Sequence, residues 1–155
     1  NAPLSTRANV AYFGTFGYEL DLNKLTEAEK NEVKQQVAFF KEYRETIFNG
    51  TFYRLLSPFE GNETCWMIVS QDQKTALVGY YRPLNEVNVG FRRVKLQGLN
   101  PDLKYTVSIN ETTNYGDELM NAGLITSDGS CGENKAPYDG ANGDYQSRIY
   151  LLKAE

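Results

Sequence analysis

The polar and apolar positions of the chain fall into two periods, helical before Gly50 and alternating after it. Behind Pro3, Leu4, Ala8, Ala11 and Tyr12 recur at helical spacing, so the first element reads as a helix that ends before Gly14. The short aromatic run Gly14-Thr15-Phe16-Gly17-Tyr18-Glu19-Leu20 reads as a strand, and Asp21–Lys24 as a turn. Thr26 with Glu29 three residues later makes a capping box. Behind it Val33, Val37, Phe40, Arg44 and Ile47 fall on one stripe, with Phe39, Tyr43 and Phe48 beside it. A helix over 27–48 is predicted, about 33 Å long at about 1.5 Å per residue, with Asn49-Gly50 as its stop. A helix of that length needs a partner surface. Helix, short strand and long helix in that order make a piece of a repeating β/α architecture.

After Gly50, strands are predicted at Thr51–Leu56, Cys65–Gln71, Thr75–Arg82, Phe91–Leu96, Leu103–Asn110 and Ser147–Lys153. Alternation of apolar and basic residues in Phe91–Leu96 puts Arg92 and Lys95 near water. Asp117–Met120 opens a short segment that ends at Gly123. Residues 127 to 143, rich in Gly, Asp, Asn and Ser, read as loop. Short strands separated by turns predict a mainly β fold, an antiparallel β-sandwich.

Composition narrows the chemistry. The 155 residues hold no histidine, which removes Ser-His-Asp and Cys-His catalysis. Two distant cysteines, Cys65 and Cys131, cannot make a zinc cage alone; a disulfide between them is one reading, and two free thiols of a reducing cytoplasm the favoured one. A net charge of −4 with no basic stripe argues against nucleic acid and against an anionic membrane. No apolar run is long enough for a membrane span. The chain opens on Asn1 inside a structured segment, and a piece of a longer polypeptide is the expectation.

Several constellations could carry function. Glu19 and Asp21 flank Leu20 at strand spacing, the arrangement of a carboxylate pair for glycoside hydrolysis; two acids at a strand end also read as turn formers. Gly14 and Gly17 lack the third glycine of a dinucleotide loop. Trp66 and the tyrosines could stack on sugars, but Cys65-Trp66-Met67-Ile68-Val69 reads as core, which leaves Tyr138 and Tyr145 as freer candidates. Asp139–Asp144 carries oxygen ligands, yet its third and fifth positions are Ala141 and Gly143, so it fails the calcium-loop pattern. Asn62-Glu63-Thr64 and Asn110-Glu111-Thr112 fit the glycosylation acceptor pattern.

Together the residues resemble a family. Thr6–Asp21 closely resembles the end of the catalytic barrel in bacterial family 36 α-galactosidases. Tyr53-Arg54-Leu55-Leu56-Ser57-Pro58-Phe59 looks like the start of that family's C-terminal domain. Leu96–Pro101 and Gly116–Leu124 look like two later stretches. The resemblance implies that residues 1–49 are the last helix–strand–helix of a (β/α)8 barrel and residues 50–155 a C-terminal β-sandwich domain. The parent enzyme would release terminal α-galactosyl groups from melibiose- and raffinose-type sugars with retention, through an aspartate nucleophile and an aspartate acid/base. In the family both aspartates lie upstream of the matched stretches, so no catalytic residue is carried onto this chain, no cofactor or metal is implied, and the chain alone is expected to be inactive. Its expected partner is the upstream catalytic barrel of the same protein, in a cytoplasmic homo-oligomer that takes α-galactosides. A galactoside-binding sandwich module and a purely structural interaction domain are the competing readings.

Overall fold

The computed structural model describes residues 2–86, 90–109, 111–128 and 144–155. Helix α1 (Leu4–Ala11) is followed by a segment without regular secondary structure, a 3-10 turn (Leu22–Lys24) and the long helix α2 (Glu27–Asn49). The strands are β1 (Thr51–Leu56), β2 (Thr64–Val69), β3 (Thr75–Arg82), β4 (Phe91–Val94), β5 (Lys104–Val107), β6 (Thr112–Tyr115), β7 (Leu124–Asp128) and β8 (Gln146–Ala154). A short helix, α3 (Gly116–Asn121), stands between β6 and β7. One sheet has six strands in the order β1-β2-β3-β8-β5-β6, and a second pairs β4 with β7. All these pairings are antiparallel.

The six-stranded sheet is buried on both faces at its centre. Alternate side chains take alternate sides of a strand. Cys65, Met67 and Val69 of β2, Ala76, Val78 and Tyr80 of β3, and Tyr150 and Leu152 of β8 form one core with Val94, Leu96, Leu119 and Leu124. The small sheet and α3 cover that face. Their neighbours Ile68, Leu77, Ile149 and Leu151 point the other way and pack with Tyr43, Ile47 and Phe39 of α2. Residues 76–82 of β3 are therefore buried without a break, as a strand covered on both faces must be.

α2 begins as its capping box requires. The Thr26 hydroxyl accepts from the Glu29 backbone N–H at 3.3 Å, and the Glu29 carboxylate accepts from the Thr26 N–H at 2.8 Å. That bond from the Thr26 backbone holds the Glu29 carboxyl below its usual range. The helix stops at Gly50 for a reason the pattern did not hold. Gly50 has φ −75°, which any residue adopts. A Cβ there would meet the Thr46 carbonyl oxygen, the Ile68 methyl and, at 2.7 Å, the Val69 carbonyl oxygen. Glycine is needed because helix and sheet pass too close for a side chain.

Four expectations are corrected. Residues 14–20 form no strand: no strand among the described residues lies beside them to complete a ladder, and the segment is held by its rings instead. Phe16 stacks on Tyr12 and Phe40 at centroid distances of 5.1 and 4.8 Å. Strands β6 and β7 were not anticipated, because Thr112–Tyr115 is short, polar and an edge, and Leu124–Asp128 overlaps the start of the expected loop. The remainder of that loop lies outside the described residues. Arg92 does not face water as Lys95 does. The inward parity set by Val94 and Leu96 extends back to Arg92, which is half-buried and ion-paired, while Phe91 is exposed.

Candidate functional site

The acid pair read from the sequence does not converge. Asp21 turns back on its own chain, its carboxylate accepting from the Asn23 backbone N–H at 3.0 Å and the Asn23 amide at 3.1 Å. It caps the 3-10 turn before α2. Glu19 is exposed. With no strand under Leu20, nothing fixes the two carboxylates on one side, and Asp21 acts as the turn former.

A denser polar cluster lies at the β2–β4 end of the core. The Arg92 guanidinium donates to Glu63 Oε1 and Glu86 Oε2. The Tyr80 hydroxyl donates to the same Glu63 oxygen at 2.6 Å. The Asn62 amide donates to Glu86 Oε1 and to the Leu84 carbonyl, both at 2.8 Å, while its oxygen accepts from the Leu84 N–H at 2.9 Å. The Asn62 bond, with the Arg92 charge behind it, holds the Glu86 carboxyl below its ordinary range. Burial and the Glu63 carboxylate push the Tyr80 phenol up. Two carboxylates locked to one guanidinium have no freedom to move a proton to a substrate. The cluster fastens the turn after β3 to the start of β2 and to β4. The sequence placed Arg92 near water and Asn62-Glu63 in a glycosylation pattern but did not join them, since Asn62, Glu63, Glu86 and Arg92 share no periodic pattern.

A cleft of about 390 Å³ opens where α1, α2 and β8 meet. Asn9, Tyr12, Glu32, Gln35, Phe39 and Ile149 are among its walls. α1 reaches β8 through hydroxyls and an amide. The Thr6 hydroxyl donates to the Tyr145 carbonyl at 2.7 Å, and the Asn9 amide donates to the Ser147 hydroxyl at 2.9 Å. On the α2 side, Tyr18 donates to Gln36, whose amide donates to Glu32 at 2.8 Å.

The remaining candidates separate cleanly. Trp66 is half-buried and packs between Phe13 and Tyr81 at 6.0 and 4.7 Å. Its cross-strand partner is Gly79, which leaves the space that Phe13 and Tyr81 fill. Tyr145 is exposed, with φ 61° and its N–H donated to the Pro83 carbonyl at 2.7 Å. Tyr138, Cys131 and residues 139–143 lie outside the described residues. Cys65 is a free thiol with no exposed surface, and burial pushes it up to about 12. The Asn62 amide of the first glycosylation pattern is spent on Leu84 and Glu86, and Asn110 of the second lies outside the described residues. Among the described residues no group of acids, cysteines or histidines could hold a metal ion, and no helix is long and apolar enough to cross a membrane.

The described residues define the class as a mainly antiparallel β fold backed by helices. The family model of the glycosyl hydrolase family 36 C-terminal domain matches residues 63–152, and that of melibiase matches residues 1–50. The chain belongs to glycoside hydrolase family 36. It is 47% identical to the α-galactosidase AgaA of Geobacillus stearothermophilus over 99% of its own length. It is 38% identical to α-galactosidase 1 of Pediococcus pentosaceus over 97%. The crystal structure of AgaA superposes on all of the chain with a TM-score of 0.88 at 45% identity. That of the Lactobacillus brevis α-galactosidase superposes on 99% with a TM-score of 0.87 at 38% identity. The chain spans about a fifth of the length of these relatives (19% of AgaA, 20% of its crystallised chain).

Proposed function

We propose that this chain is the C-terminal region of a retaining α-galactosidase, inactive by itself, that packs on a catalytic (β/α)8 barrel lying upstream in the same polypeptide. One observation carries the reading: similarity to AgaA runs through the whole chain at once, in sequence and in backbone. Variants of AgaA have been crystallised with raffinose and with stachyose. Sugars of that kind, ending in an α-galactosyl group, are the substrates we assign to the complete protein.

The division at 49/50 follows from the same reading. Residues 1–49 contribute two helices and the aromatic segment that would be the barrel's last strand. The segment has no ladder partner among the described residues, as a barrel strand would have none when its neighbours lie elsewhere in the polypeptide. Residues 50–155 supply the sandwich, and the ring contacts of α2 join the two. The acid chemistry belongs upstream, where one aspartate would attack the anomeric carbon and a second would protonate the leaving oxygen and then activate water. A cytoplasmic homo-oligomer remains the assignment for the complete enzyme.

The test is hydrolysis of a nitrophenyl α-galactoside. The full-length protein should turn it over, and residues 1–155 alone should not. Turnover by the purified 155-residue chain would overturn the assignment, as would inactivity of the full-length protein on every α-galactoside.

A further inference from the structure

We propose that the cleft between α1, α2 and β8 binds a neutral polyhydroxylated ligand, a mono- or disaccharide, with the Tyr12 hydroxyl as the anchoring group at its base. Tyr12 is 5% exposed and lines the cleft. Its ring is fixed by Phe16 and by Phe39, at 5.1 and 4.8 Å. Among the described residues its hydroxyl has no hydrogen-bond partner, yet it is not sealed off within the core. A phenol so deeply placed, left without a protein partner, calls for one from solvent or ligand.

The walls define the ligand. Glu32 lies close enough for its charge to act on the Tyr12 hydroxyl. One Glu32 oxygen accepts from Gln36, and the other has no partner among the described residues. The Arg148 guanidinium turns to the opposite face of β8, where it donates to the Thr126 carbonyl at 2.7 Å. Arg148 also lines the cleft but commits its guanidinium to Thr126, so among the described lining residues Glu32 supplies the charge not turned away, and anions are disfavoured. An organic cation would answer Glu32 but leave the Tyr12 hydroxyl and the Gln35 amide without acceptors. A sugar answers both sides, donating hydroxyls to Glu32 and accepting from Tyr12 and Gln35, with its C–H face against Phe39 and Ile149. The volume of about 390 Å³ falls in the range of small-ligand pockets, which begin at about 300 Å³.

Only the choice of galactose as probe rests on the α-galactosidase reading. Galactose is titrated into the full-length protein by ligand-observed NMR, and crystals of the same protein are soaked in it. The expected result is a second, millimolar site with density in the cleft. Tyr12→Phe, which removes one oxygen, and Gln35→Ala should each weaken that site about tenfold, a loss of about 1.4 kcal/mol. Neither should change kcat/KM for a nitrophenyl α-galactoside. Saturation identical in wild type and both variants would overturn the proposal. So would a cleft filled by another side chain of the same polypeptide, or one holding only water at saturating galactose. Activity measured on the same preparation separates the two readings: hydrolysis without a second site sinks this inference and leaves the enzyme assignment standing.

Discussion

The Tyr81 hydroxyl donates to the Asn9 carbonyl at 2.6 Å, joining β3 to α1 across 72 residues. Asn9 stands in the last turn of α1, where carbonyls have no helical N–H to accept from. A side chain from the sheet supplies the donor, and Tyr81 is buried with Trp66 beside it. Replacing Tyr81 with Phe keeps the ring and orphans the carbonyl. The cost should be about 1–2 kcal/mol. Hydrogen exchange should show it locally, with the α1 amides opening about tenfold more readily for each 1.4 kcal/mol while those of β5 are unchanged. Equal exchange in the two proteins would mean that the bond does not hold the helix.

Gly50→Ala should be among the most damaging single-methyl changes in the chain. The added carbon meets two backbone carbonyl oxygens, and backbone cannot step aside as a side chain does. A loss of about 3 kcal/mol is expected, read as a lower urea midpoint. Gly61→Ala is the control, because nothing lies within 4 Å of a Cβ there, and its midpoint should stay close to the wild-type value.

The Glu86 carboxyl titrates below its ordinary value of 4.5, first because of the Asn62 amide and then because of Arg92. A depressed carboxyl stabilises the folded protein in its ionised form. The stabilisation is therefore complete above pH 4.5 and fades as the pH falls through the lowered folded value. Wild type should be more stable than Glu86→Gln at neutral pH, and the two should converge in acid. Asn62→Ala should move the Glu86 titration upward in an NMR pH series. A gap between wild type and Glu86→Gln that widens in acid would contradict the sign.

Phe48 tests where α2 would meet the proposed barrel. It is 64% exposed in this chain and touches Phe40 edge-on at 5.9 Å. Covered by the proposed barrel, it should behave as a core residue, and Phe48→Ala in the full-length protein should cost about 3 kcal/mol. A change within about 0.5 kcal/mol, the usual size for an exposed position, would show that this edge of α2 remains in water.

Sequence by itself determined the elements whose cause is local. α2 was legible because its capping box, stripe and stop all lie in neighbouring residues. β1, β2, β3 and β8 were legible because alternation or an unbroken apolar run marks them. The order of motifs from Thr6 to Leu124 placed the chain in its family without any contact being known. Tertiary structure decided what depends on a distant partner. Residues 14–20 have a strand's composition, but a strand exists only where another chain segment completes its ladder. Arg92 looked like surface until Glu63 and Glu86, 29 and 6 residues away, made burial of its charge tolerable. Gly50 reads as a helix stop in either account, yet only the approach of Thr46 and Val69 shows why no other residue fits. The cleft at Tyr12 belongs wholly to this second class. Its walls come from α1, α2 and β8, elements more than 130 residues apart at their extremes, and no periodicity along a chain records which side chains will face one another across a packed interface.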